Sequence, residues 1–410
     1  MHLSSRRELL LGSGALFAWA CLPKLARAEG RDPRLLTIIL RGALDGLATV
    51  APVGDPDWVA PRGDHALLLD GKTPALKLDG FFALHPAMRN LHRLFGAKQA
   101  LVVHAAASPY RERSHFDGQD VLESGIERPG AAASGWLNRA FAALAPGGRA
   151  AARTGGGLGV GPVMPLVIRG TAPVLTWSPT RVLPASDDTM ARLLDLYQHT
   201  DPALARALDG GARTAQIART DGMDKPILGP QPVGLDQIRA YFTEAAGTAA
   251  RFLARDDGPR VGALALDGWD THFNEGIANG RLSQLLGALD GAIGAIEKNL
   301  ASAWKDTAVV LVTEFGRTAK INGTEGTDHG TATVALMFGG ALDGGRVIAD
   351  WPGLKTANLF EGRDLAPTTD LRAVLKGVLR DHLRVDTAAL SNTVFPGSAD
   401  VKPIDGLLTS

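Results

Sequence analysis

The run Leu35-Leu36-Thr37-Ile38-Ile39-Leu40, followed at once by Arg41-Gly42-Ala43-Leu44-Asp45-Gly46, decides the fold class. An uncharged apolar run of this length suits a strand covered on both faces. Four more such runs follow, Ala100–His104, Arg260–Leu266, Ala308–Thr313 and Thr333–Phe338, separated by helical or irregular stretches. The pattern predicts an α/β fold, a mainly parallel central sheet with helices on both faces. Helices are clearest at Leu282–Leu300, where Leu282, Leu285, Leu286, Leu289, Ile293, Ile296 and Leu300 share one stripe, and at Thr369–His382. The Gly/Ala-rich stretch from Gly130 to Gly161, with its continuation to about Gly222, is less regular and reads as an insertion or cap, about 130–222.

The amino-terminal segment reads as an export signal. Arg6-Arg7 stand just before the apolar run Leu9 to Leu22, and Ala26-Arg27-Ala28 places small residues at a cleavage site before Glu29. Paired arginines in this position fit the twin-arginine route, and the apolar run falls short of the roughly 20 residues of a permanent span. Residues 1–28 are therefore expected to leave, with residues 29–410 forming one α/β domain in the periplasm or outside the cell. Cys21, the only cysteine, would leave with the signal, so no thiol or disulfide remains in the mature chain. Its net charge would then be about −3, which argues against a nucleic-acid partner.

Polar residues collect where the apolar runs end. In open parallel sheets ligands bind beyond the carboxyl ends of the strands, where rigid strands hold converging loops. After the first run stand Arg41, able to hold an oxyanion, and Asp45, either a metal ligand or a helix cap. After the second come Arg113-Ser114-His115, a hydroxyl flanked by arginine and imidazole, the parts of an activated nucleophile. The third run leads into Asp267-Gly268-Trp269-Asp270-Thr271-His272; Asp270 and His272 can share one ion, with Asp267 as competitor. The fourth leads into Glu314-Phe315-Gly316-Arg317, and Asp328-His329 precede the fifth.

The strings LRGALDGL, SPYRERSHFDGQDVLESG, GWLNR, GWDTHFNEG, VTEFGRT, GTDHGTATVALMFGGAL and PTTDLRAVLKGVLRDHL together resemble the DUF1501 family, exported bacterial proteins placed in the alkaline phosphatase-like superfamily with the sulfatases. The resemblance spans nearly the whole mature chain. It implies that Asp45 matches the superfamily's first metal-binding aspartate and Ser114 its nucleophile. The formylglycine variant is excluded, because the mature chain has no cysteine. Asp270 and His272 resemble the aspartate and histidine of a second metal, at a closer spacing than usual. Asp328-His329 resembles the histidine before a glycine-ended strand. Where the superfamily has an Asp-His pair, this chain has Glu314 followed by Phe315, which leaves a one-metal or rearranged site open.

These readings lead to a metal-dependent hydrolase of phosphate or sulfate esters, small or polymer-borne, reached through the twin-arginine export machinery and without a permanent membrane anchor. Ser114 or a bound water would attack, Arg113, Arg41 or Arg317 would neutralise the transferred group, and His115 would serve the leaving group as acid or base. The expected cofactor is a divalent metal held among Asp45, Asp270, His272, Glu314, Asp328 and His329. Zinc or manganese suits imidazole with carboxylate; calcium or magnesium is favoured slightly if Glu314 and both aspartates bind. A non-catalytic exported binding or assembly protein, and a carbohydrate hydrolase with paired carboxylates, are the rival readings.

Overall fold

A computed structural model describes residues 31–130, 132–144, 156–178, 187–220, 234–277 and 279–409. The export signal read at residues 1–28 lies outside the described residues. Among the described residues nine strands form the main sheet: β1 Arg34–Arg41, β2 Ala100–Ala107, β3 Gly157–Val160, β4 Val174–Trp177, β5 Val261–Asp267, β6 Thr307–Val312, β7 Thr333–Phe338, β8 Val347–Ile348 and β9 Thr369–Asp370. Their order is β8-β2-β7-β6-β1-β5-β3-β4, with β9 also paired to β2. All five apolar runs are strands, and the sheet is mainly parallel with helices on both faces, as expected.

Alternate residues of each strand enter different cores. Leu36, Ile38 and Leu40 of β1 join Val309, Leu311, Leu336 and Phe338 on one face. That face is covered by α1 Arg89–Gly96, α4 Leu235–Ala254 and α5 Arg281–Leu300. Leu35 and Ile39 join Val310, Val312, Ala335 and Met337 on the other, under α3 Trp136–Ala143 and α6 Leu371–Leu383. Burial on both sides is what an uninterrupted apolar run encodes. The expected helix Thr369–His382 starts later, at Leu371, because Asp370 turns its carboxylate back to cap the Arg372 amide.

The segment read as irregular carries more order than its composition implies. Within it β3 pairs parallel to β5, and β4 parallel to β3, so both extend the sheet. Four-residue strands flanked by glycine and proline give little periodic signal. Helices Asp187–Thr200 and Pro202–Thr220 follow. Among the described residues no helix is long and apolar enough to cross a membrane.

β7 runs antiparallel to both its neighbours, β2 and β6. This inversion positions the site. A chain that leaves β6 at its carboxyl end and re-enters through an antiparallel strand keeps the whole connection at one edge. Glu314 after β6 and His329 before β7 therefore share that edge with the segments following β1, β2 and β5, including α2 His115–Ser124.

The loops there approach to backbone contact. Gly42 has φ +119°, and a Cβ built on it would stand 2.6 Å from the Asp270 amide nitrogen and 2.8 Å from that of Trp269. Gly42→Ala should lower stability by at least about 1–3 kcal/mol, through strain and overpacking together. Gly287, in the middle of α5, has nothing within 4 Å of the same virtual atom. Gly287→Ala should instead raise stability by about 0.5–1 kcal/mol. Chemical denaturation of the two variants checks the opposite signs.

Candidate metal centre

β5 ends at Asp267, and the loop beyond it is pinned by Trp269, whose fully buried indole donates from Nε1 to the Leu266 carbonyl at 3.0 Å. Asp270 then emerges with its side chain 43% exposed. Its Oδ1 lies 2.7 Å from Arg317 Nη1, 3.1 Å from His272 Nε2 and 3.3 Å from His329 Nε2. Its Oδ2 lies 3.5 Å from His115 Nε2. One carboxylate thus gathers three imidazoles and a guanidinium from four chain segments.

The far nitrogens of the same rings decide what this gathering can do. His115 Nδ1 is 2.8 Å from Glu314 Oε1, His329 Nδ1 is 2.9 Å from the Arg113 carbonyl, and His272 Nδ1 is 3.4 Å from Asp328 Oδ1. Carboxylate and carbonyl oxygens only accept, so the Nδ1 of His115 and of His329 carries the hydrogen, and a neutral ring then turns an Nε2 lone pair towards Asp270. His115 Nε2 is buried and, despite its 3.5 Å approach to Asp270, makes no hydrogen bond of good geometry. His272 Nε2 and His329 Nε2 are 3.0 Å apart. Two Nε2 lone pairs facing each other at this distance repel unless a proton or a metal ion lies between them.

Protons can supply part of that positive charge. Asp270 and then Glu314 draw a proton onto His115, pushing its pKa up to about 9. Burial raises the Asp270 carboxyl, but the neighbouring His115 and His329 imidazoles and the Arg317 guanidinium prevail and hold it well below the usual range. A divalent metal fits the same donors. His115, Asp270 and His329 each offer one atom, all within 4.8 Å of one another. An imidazole whose other nitrogen donates to a carboxylate or carbonyl is the usual arrangement around a protein-bound metal.

The other expected ligands are placed differently. Glu314 holds His115, Gln119 Nε2 at 3.1 Å and the Gly42 amide at 2.8 Å through Oε1, with Thr313 on Oε2 at 3.0 Å, so it orients an imidazole rather than reaching the centre. Asp328 does the same for His272. Asp45 is fully buried, caps Gly46–Thr49 through the Ala48 amide and pairs with Arg62 at 2.5 Å. Its oxygens are occupied there, and Asp267 contributes no atom to the cluster. Arg41 pairs with Glu123 at 2.5 Å, and Arg113 with Glu361 and Asp364, which leaves Arg317 as the expected arginine that touches the cluster. Ser114 stands at the amino-terminal end of α2, half-buried, its amide donating to the Tyr110 hydroxyl at 3.2 Å. Phe315 is buried and stacks on His115 at 5.1 Å, forming a wall behind the imidazoles.

A second network had no local signal in the sequence. Arg317 Nε donates to Thr327 Oγ1 at 3.1 Å, and that hydroxyl donates to Glu275 Oε2 at 2.8 Å. Burial first and the Asp45 charge second push the Glu275 carboxyl up to about 8. The unfolded glutamate ionises near its ordinary 4.5. The folded chain therefore holds the extra proton between about pH 4.5 and 8, and stability declines across that window as pH rises. Glu275→Gln stays neutral and keeps the shape. Its denaturation midpoint should fall less than that of the parent between about pH 5 and 8, and equal slopes would show Glu275 ionised in the fold.

No curated protein matches this chain. Solved structures similar to it include the phosphonate monoester hydrolase of Agrobacterium radiobacter, 12% identical with a TM-score of 0.34, over 77% of this chain and 70% of that one. Another is the PsFucS1 sulfatase from Pseudoalteromonas sp., 12% identical with a TM-score of 0.35, over 84% and 68%. A third is an alkaline phosphatase from the Antarctic bacterium TAB5, 13% identical with a TM-score of 0.35, over 77% and 94%. Residues 32–394 match the family DUF1501, described as a protein of unknown function, and the chain belongs to that family.

Proposed function

We propose that this chain is an exported, metal-dependent hydrolase of phosphate or sulfate esters. The observation that carries the reading is the set of three imidazoles whose Nε2 atoms converge on Asp270, two of them, His115 and His329, bonded at Nδ1 to an oxygen. His115, Asp270 and His329, with His272 beside them, would hold the ion. A bound divalent cation would supply Lewis acidity and make a hydroxyl or water nucleophilic near neutral pH.

The chain's own residues do the rest. Ser114, immediately before His115, presents a hydroxyl at the start of a ten-residue helix whose first turn has no side-chain cap. Uncapped amides there favour an anionic group, so the transferred phosphoryl or sulfuryl oxygens would lie against them. Arg317 holds Asp270 and Thr327 and is fully buried, so its charge acts by fixing the carboxylate rather than by meeting substrate. A paired-carboxylate glycosidase fits less well, because the carboxylate at the centre faces imidazoles and a guanidinium.

Metal analysis of the exported protein, followed by a panel of phosphate monoesters, diesters and sulfate esters, tests the reading. Ser114→Ala should keep metal content and stability while lowering turnover by about a thousandfold or more. His329→Ala should lower metal occupancy as well as turnover. Full activity in Ser114→Ala would make water the nucleophile, and full metal content in His329→Ala would make the Asp328-His329 turn structural. A chain that binds metal and hydrolyses nothing on the panel would favour the binding or assembly role. Export is tested separately. Lysine in place of both Arg6 and Arg7 should keep the chain in the cytoplasm, and fractionation reads the outcome.

A further inference from the structure

Arg113 adopts φ +61°, a left-handed conformation that side-chain-bearing residues avoid. In that conformation its carbonyl meets His329 Nδ1 at 2.9 Å. Its side chain points the other way. The guanidinium donates from Nε to Asp364 Oδ2 at 2.9 Å and from Nη2 to Glu361 Oε2 at 2.5 Å, and lies 5.9 Å from the Phe360 ring centre.

The turn that receives it also holds the other partner. Arg363 donates to the His329 carbonyl, and the Leu365 carbonyl accepts from the Thr331 hydroxyl at 3.0 Å. Asp364 is fully buried and bridges to Thr318 and Phe360 through its backbone. The 360–365 turn therefore grips both sides of the Arg113–His329 contact. A carbonyl oxygen opposite Nδ1 requires a hydrogen on Nδ1, so the neutral ring there carries its lone pair on Nε2.

We propose that the Arg113–Asp364 ion pair is a tautomer lock: it sustains the left-handed backbone of Arg113, and the carbonyl so placed keeps His329 Nε2 free for a metal. The proposal rests on the metal reading of the site. It makes Arg113 a positioning residue whose side chain acts through its own backbone, in place of the oxyanion role expected from sequence.

Alanine and glycine at position 113 separate backbone from side chain. Both lose the guanidinium and leave Asp364 without it, but only glycine holds a positive φ without strain. Zinc affinity, measured by competition with a chromophoric chelator, should fall about 10- to 100-fold in Arg113→Ala. In Arg113→Gly it should stay within about threefold of the parent. The nitrogen-15 shifts of His329 in metal-free protein should show the Nδ1-protonated ring in the parent and Arg113→Gly, and a mixture of tautomers in Arg113→Ala. Parent-like affinity and tautomer in Arg113→Ala overturn the lock, and so does glycine as impaired as alanine. If the parent protein binds no zinc, the metal reading fails, while the tautomer comparison on metal-free protein still decides the lock.

Discussion

The Asp270 carboxylate is the constraint on which the rest of the site depends. A carboxylate in the open can rely on water, but this one is approached by His115, His272, His329 and Arg317. Each approach requires its loop to stay where it is. Trp269 supplies the rigidity on one side by filling the core directly before Asp270. Gly42 supplies the room on another, since any Cβ there would displace the Asp270 amide. The third support is the line from Arg317 through Thr327 to Glu275, which anchors the guanidinium in buried hydrogen bonds before it reaches the carboxylate. Packing, backbone and polar network thus converge on one side chain, which is how a site is held more precisely than a loop alone allows.

Strand direction explains why these groups can meet at all. With β7 parallel to β6, the connection between them would have to cross the sheet, and His329 would sit at the opposite edge from Glu314. The antiparallel pairing of β7 with β2 and β6 removes the crossover and turns the whole connection into a loop over the carboxyl edge. The Arg317–His329 bridge and the Gly316–Thr331 and Gly330–Gly316 backbone bonds close that loop on itself. Both site-bearing turns are then fixed by main-chain bonds, independent of the side chains they present.

The sheet was legible because doubly buried strands leave uninterrupted apolar runs, and β1, β2, β5, β6 and β7 all do. β3 and β4 were not, being four residues long amid glycine and proline. At the site, position at the end or the start of an apolar run was enough to single out Asp270, His272, Glu314, Asp328 and His329, and the structure brings all five into one network. Spacing could not say which of them face the centre. Glu314 and Asp328 stand one bond further out than expected, and that depends on which ring nitrogen of a partner they meet. Asp45 was drawn away by Arg62, seventeen positions along a stretch with no recognisable pattern. Glu275 and Asp364 carry no local mark either. Their importance lies in burial, which only the assembled fold defines.

This rearrangement changes the chemistry expected of the centre. With Glu314, Asp45 and Asp328 as ligands, the donor set would be mostly oxygen and suited to calcium or magnesium. With those carboxylates engaged elsewhere, the atoms that converge are imidazole nitrogens around a single carboxylate, the set that suits zinc or manganese. Phe315 works in the same direction. Its ring stacks on His115 and lies 5.2 Å from His329, so that side of the imidazoles is closed by an apolar wall. A metal binds the neutral imidazole, so a bound cation would displace the proton that Asp270 and Glu314 draw onto His115. With Phe315 as that wall, the donors that converge, His115, Asp270 and His329, are a set for one ion.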